Sequence, residues 1–185
     1  MSVSKQRGNL VFLNHHSGLV TYKMPQGNTR GGRYNFTDSS YDGFNKNHFL
    51  SDGLGMLTDG KLAPEDYAAT GGLGWIGWNV NDTPKPYIIF EFLNTRIFSA
   101  MTLHCNVRDT AKIKLFSEVV ISFSMDGVSF YESFEYKPKS VSSRSAWMNY
   151  NVTIDLHRHT GKLMKLQFSY TGHWILISEV TFHSG

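Results

Sequence analysis

A chain of 185 residues with 18 Lys and Arg, 15 Asp and Glu and a net charge of +3 is long enough to bury a real core and suits one domain with a short extra piece. Its basic residues form no run of five, so the footprint of a nucleic-acid binder is missing, and no stretch reaches the ~18 apolar residues of a membrane span. With 13 Phe, 9 Tyr, 4 Trp and 17 Gly against 18% charged residues, the composition is that of an all-β protein.

Asn9-Leu-Val-Phe-Leu13 and Gly18-Leu-Val-Thr-Tyr22 read as short strands, the second ended by Pro25. Gln26 to Gly32 is a polar, glycine-rich loop, and Arg33-Tyr-Asn-Phe36 alternates as a half-buried strand does. Asp38-Ser-Ser-Tyr-Asp-Gly43 is a turn cluster that leads into Ser51-Asp-Gly-Leu-Gly-Met-Leu-Thr-Asp-Gly60. Its two Asp-Gly steps predict a compact double turn with inward carbonyls, a plausible cradle for a hard cation such as calcium; two ordinary turns with solvated aspartates are the alternative. The spacing does not fit an EF-hand loop.

Pro64 to Ala69 is expected to make one helical turn. Gly72-x-Gly74-x-x-Gly77 carries the letters of a dinucleotide fingerprint but lacks the strand before it and the helix after it, so that reading is rejected. Trp75 and Trp78 are expected to cover the core edge; with Phe49 they are alternatively a platform for a sugar or a membrane surface.

From Tyr87 onward strands dominate: Tyr87–Phe92, Arg96–Leu103, Val119–Ser124 with a return strand from Val128 around Asp126-Gly127, Tyr150–Leu156, Lys162–Tyr170 and Trp174–Phe182. Many short strands without a long helix predict an all-β jelly-roll sandwich.

Residues Met1 to Gly8 lack the apolar run of a signal peptide, which suits a cytoplasmic chain; a piece of a larger secreted protein is the equal alternative. The sequons at Asn35, Asn81 and Asn151 lean toward secretion, while the single Cys105, which allows no internal disulfide, leans the other way. His157 and His159 share a face if extended and His15 and His16 do not, and the further ligands of a zinc site are missing. No Gly-x-Ser-x-Gly elbow is present, and Cys105 is expected to be buried and inert, so no catalytic residue is assigned.

Ser124-Met-Asp-Gly-Val-Ser-Phe130 resembles a hairpin of discoidin (galactose-binding-like) domains. Tyr41-Asp-Gly43, Leu50-Ser-Asp-Gly-Leu-Gly55, Leu57-Thr-Asp-Gly60, Gly77-Trp78, Phe90-Glu-Phe92, Arg96, Met101, His104-Cys-Asn106 and Ser178-Glu179, in that order, resemble the second, discoidin-like domain of the discoidin domain receptors, which are collagen-binding receptor tyrosine kinases. The resemblance covers residues 18–183 and divides the chain into 1–30, similar to the end of a preceding discoidin domain, and a jelly roll over 31–185. It implies a non-catalytic extracellular module of a plasma-membrane receptor, glycosylated at Asn35, Asn81 and Asn151. Such a module positions the neighbouring collagen-binding domain, contributes to regulation and receptor self-association, and has no nucleic-acid partner. A carbohydrate- or phospholipid-binding discoidin-type lectin is the alternative.

The resemblance also implies a calcium ion. Asp59 and Glu179 would supply carboxylates, Met56, Ser178 and Gly71 carbonyls, and Thr37 a hydroxyl where the family has an asparagine. The family's partner cysteines fall near Ile121 and Leu166, both apolar here, and its kinase motifs are absent.

Overall fold

The computed structural model describes residues 18–143 and 146–183. Strand Asn9–Leu13 and the His15, His16 pair lie outside them. The alternating runs become β1 (Leu19–Pro25), β2 (Thr29–Arg30), β3 (Tyr34–Asn35), β4 (Phe44–Lys46), β5 (Phe49–Gly53), β6 (Ile76–Asn79), β7 (Tyr87–Val107), β8 (Glu118–Ser124), β9 (Tyr131–Tyr136), β10 (Met148–Ser169) and β11 (Trp174–His183). The expected helical turn is a short 3₁₀ segment, Tyr67–Thr70, whose start is capped by Asp66 accepting the Ala68 N–H.

The architecture is the expected jelly-roll sandwich. One layer runs β4-β5-β1-β7-β10-β8-β9. β7 and β10 then cross into the second layer. Tyr87 to Glu91 of β7 pairs with Gln167 to Leu163 of β10, whereas Ala100 to Cys105 pairs with Asp155 to Tyr150 and, on its other side, with β11. β6 closes that layer on β11. The crossing is made where the register slips, between Asp155 and His159 and between Gly161 and Leu163. His157 and Arg158 there have φ of +54° and +55°, so the two histidines are not neighbours on a regular strand. Slips of this kind bend and twist a strand, which lets one ribbon serve both layers.

Between the layers, Phe182 of β11 meets Phe90 at 4.9 Å and Phe92 at 5.3 Å between ring centroids. Tyr22, Leu103, Cys105, Ile121, Ile154, Leu166 and Ile177 join the same cluster. Ile121 and Leu166 are direct cross-strand partners on β8 and β10. Apolar packing therefore joins the two positions where the resemblance places cysteines.

The outer face of β11 is covered as well. Trp174 and Leu176 pack with Phe36, Tyr67 and Trp75 in a second cluster. Asn106, fully buried, pins this cover by donating to the Glu65 carbonyl at 2.8 Å. Covering both faces explains why Trp174 to Val180 is buried without alternation.

One expectation needs correction, and one alternative falls. The return strand after Asp126-Gly127 begins at Tyr131, because the Asp126 carboxylate accepts the Val128 and Ser129 N–H groups at 2.8 and 3.0 Å and holds that stretch as a loop. Trp75 and Trp78 have no exposed surface, and their indole N–H groups bond the carbonyls of Pro64 and Pro25. They form no platform with Phe49, which leans on Tyr87 instead. The strand expected over Gly18–Tyr22 runs through the sheet as β1, paired with both β5 and β7.

Candidate functional site

The loop after β5 is built by side chains from elsewhere. The Asp42 carboxylate accepts the Leu54 N–H at 2.7 Å, and a 3₁₀ turn follows over Met56–Thr58, buried along its length. Asp38 receives the Met56 N–H at 3.0 Å on one oxygen and the Tyr22 hydroxyl on the other. Tyr22 accepts the Leu57 N–H at 3.3 Å in turn. Gly55 lies against Asp38 so closely that a Cβ there would come within 2.4 Å of its carboxylate.

Asp59 ends the turn and accepts the Lys61 N–H at 2.9 Å. The next amide, Gly60 N–H, points at both carboxylate oxygens of Glu179, 3.2 Å from each. Glu179 comes from β11, where the register slips between Ile177 and Glu179 and leaves Ser178 as an extra residue. Such a bulge re-aims the side chain that follows it. The Ser178 hydroxyl accepts the Ala63 N–H at 3.4 Å.

Three carboxylates therefore share one neighbourhood. Burial pushes the Glu179 carboxyl up to about 9, and the Asp59 charge pushes in the same direction. Burial also raises Asp38; the Tyr22 and Met56 bonds oppose this, and the Asp59 charge adds to it. Each shift records a cost of ionising the group in place. Within the turn, the Thr58 hydroxyl is buried without a hydrogen-bond partner.

Asp59 and Glu179 are thus brought together, with Met56 and Ser178 beside them on the same two segments. Thr37 and Gly71 are tied elsewhere. The Thr37 N–H and hydroxyl both bond the Asn35 side-chain oxygen, at 3.1 and 2.7 Å. The Gly71 carbonyl accepts the Asn35 N–H at 2.8 Å. Sequence reasoning missed Asp38 by reading it as a turn former. The signal was present: continuing the alternation of Tyr34 and Phe36 by one step puts residue 38 on the buried face. Among the described residues no three His, Cys, Asp or Glu side chains converge on a metal position. A cation here would rest on two carboxylates completed by hydroxyl and carbonyl oxygens. That all-oxygen donor set, with an orphaned buried hydroxyl and carboxyls that are costly to ionise, suits a hard cation.

Asn35, Asn81 and Asn151 are all exposed, and the side-chain oxygen of Asn151 accepts from His104 Nδ1 at 2.7 Å. Burial pushes the Cys105 thiol up to about 12. It is expected to resist a thiol-titrating disulfide reagent at pH 8 while folded and to react stoichiometrically in denaturant; rapid native reaction would place it at the surface.

The family model described as "Discoidin domain-containing receptor 1/2, DS-like domain" matches residues 18–184. Epithelial discoidin domain-containing receptor 1 of Mus musculus is 28% identical over 178 residues, covering 90% of this chain and 20% of that protein. Discoidin domain-containing receptor tyrosine kinase B of Caenorhabditis elegans is 29% identical over 173 residues, covering 90% and 21%. The chain thus spans about a fifth of the length of these relatives. Among solved structures, a Streptococcus pneumoniae fucose binding module aligns with a TM-score of 0.51 at 16% identity, over 90% of this chain and 96% of that one. The C-terminal domain of a chitobiase from Bacteroides fragilis aligns with 0.50 at 12% identity, over 90% and 92%. These two show the fold alone.

Proposed function

The chain belongs to the DS-like domain family of the discoidin domain-containing receptors, a non-catalytic binding module, and from that premise we propose that it is a calcium-stapled extracellular module of a collagen receptor. In the parent it positions the neighbouring collagen-binding domain and contributes to receptor self-association and regulation. No helix among the described residues is long and apolar enough to cross a membrane.

The observation that carries the calcium part is the buried Glu179 carboxyl beside Asp59, at the end of a turn whose Thr58 hydroxyl lacks a partner. Glu179 and Asp59 are the anionic ligands. The carbonyls of Met56 and Ser178 complete the set from the same two segments. The ion supplies positive charge where ionisation is otherwise costly and staples residues 56–60 to β11; it performs no chemistry. Thr37 and Gly71 are weaker members, being committed to Asn35.

A thermal melt in excess calcium and in chelator, on wild type and Asp59→Ala, tests this. An ion that binds only the folded state, at about 100 times its dissociation constant, adds ~2.7 kcal/mol, a rise of roughly 5–10 °C at this size. The rise is expected in wild type and lost in Asp59→Ala. Coincident melts in wild type would remove the ion from the account. The collagen part is tested separately: binding to a triple-helical collagen peptide should be absent in this chain alone and present when the parent's preceding domain is attached.

A further inference from the structure

A cleft of about 890 Å³ opens between residues 25–29, the β4–β5 turn and residues 82–85. We propose that it is a carbohydrate site, taking a neutral oligosaccharide through Asn28, Asn45, Asn47, His48 and Thr83. This inference goes beyond the calcium-stapled receptor module and does not depend on it.

The walls are set from behind. The Gln26 N–H bonds the His48 carbonyl at 2.8 Å and fixes the turn against β1's continuation. The Gln26 side-chain oxygen accepts the N–H groups of Gly27 and Asp38 at 2.9 and 2.8 Å. On the opposite wall the Tyr170 hydroxyl holds the Thr83 carbonyl at 2.6 Å. The Asn28 side-chain oxygen accepts the Asn79 N–H at 3.0 Å and the Thr83 hydroxyl at 3.3 Å. That fixes the amide plane and leaves its NH₂ group as an oriented donor. Binding polar ligands without a large ordering cost needs this kind of pre-set wall.

The turn itself is unusual. Asn47 and His48 both take left-handed backbone, with φ of +52° and +58°. A two-residue hairpin turn of this shape is served at least strain by Asn-Gly. Here a histidine fills the glycine position, and both side chains are exposed and line the cleft. Unfavourable backbone kept at a cleft wall points to use of the side chains it presents.

The chemistry selects the ligand class. Amides, hydroxyls and an imidazole dominate, and the single cation, Lys85, is offset by Asp82. A phosphate or sulfate would face no net positive charge. An apolar ligand would find only the rings of Pro25 and Pro84. An extended peptide docks on the backbone of an open strand, whereas this cleft offers side chains. Paired donors and acceptors on adjacent amides and hydroxyls match the vicinal hydroxyls of a sugar. Two sources are open. Thr37 and Thr83 line the cleft and complete the sequons of Asn35 and Asn81, so the chain's own glycans would start at its rim; a separate glycoconjugate is the other.

The test is amide NMR on the full chain made without glycans, titrated to millimolar with lactose and with the N-glycan oligosaccharide of five mannoses and two N-acetylglucosamines. Shifts confined to residues 28, 45–48 and 82–85 are expected with at least one probe. Asn45→Ala and Asn47→Gly, the latter suited to the positive φ, should each weaken binding roughly tenfold with unchanged melting, the loss of about one hydrogen bond. A second arm compares protein from secreting cells before and after endoglycosidase. Cleft amides that move on trimming assign the ligand to the chain's own glycan, and unchanged amides assign it to a separate one. No shift in the titrations together with no change on trimming overturns the proposal, as do shifts that persist unaltered in both variants.

Discussion

Without calcium, the domain is expected to lose stability as the pH rises from 5 to 8, and calcium should abolish that loss. The driving group is Glu179, whose carboxyl stands at about 9 in the fold against an ordinary value of 4.5. Between those values the folded chain holds one more proton than the unfolded chain. Stability then falls by ~1.4 kcal/mol per pH unit, about 4 kcal/mol over three units. That is a drop on the order of 10 °C in Tm for a domain of this size. Asp38, raised by the same burial, acts in the same direction. Asp126, held below the ordinary range by the Ser129 and Val128 amides, titrates below this window. Calcium binds the ionised carboxylate, so its affinity grows with pH and offsets the fall. Melts from pH 5 to 8 in chelator and in millimolar calcium should diverge steadily. Glu179→Gln should keep only the Asp38 share of the slope and should not diverge on adding calcium. Wild-type curves that fall in parallel would mean that Glu179 holds no ion, and a flat curve in chelator would mean that it does not bear the shift.

Most of the strand pattern was legible because burial is periodic. Val152, Ile154 and Leu156 are buried between exposed Asn151, Thr153 and Asp155, as two-residue alternation requires. Composition carried the burial of Trp75 and Trp78. What was not legible depends on pairing partners. Tyr87–Phe92 and Arg96–Leu103 read as separate strands, yet they are one 21-residue strand, whose pairing with β10 stops at Glu91 and resumes at Arg96 around the exposed stretch Leu93–Thr95. The Asn47-His48 turn carries no glycine to announce it. At the candidate site, the Asp59–Glu179 meeting came from the family resemblance, and the bulge at Ser178 that aims Glu179 has no local signature. Asp38 lay within reach of plain alternation, but turn composition outweighed it.

Phe182→Ala is expected to cost the domain about 3–5 kcal/mol, as large-to-small changes at buried aromatics do, and to lower Tm on the order of 10 °C. Phe182 is 7% exposed and faces Phe90, Phe92 and Phe98 at 4.9, 5.3 and 6.2 Å. Three of these four rings sit on β7, on both sides of the stretch where it crosses from one layer to the other, so the contact clamps the crossing strand against β11. Removing the ring leaves a cavity that the neighbours cannot close without shifting the crossing, while Phe182→Leu should recover part of the loss. Glu179 lies three residues upstream on the same strand, which makes the calcium shift an internal check. If the substitution only opens a cavity, the rise on adding calcium survives at the lower Tm, because separated sites add. If that rise disappears as well, β11 has moved and the clamp is what positions Glu179. A loss below about 1 kcal/mol, the range of ordinary substitutions, would show that the layers are held elsewhere. Denaturant melts of the three proteins, each with calcium and with chelator, separate these results.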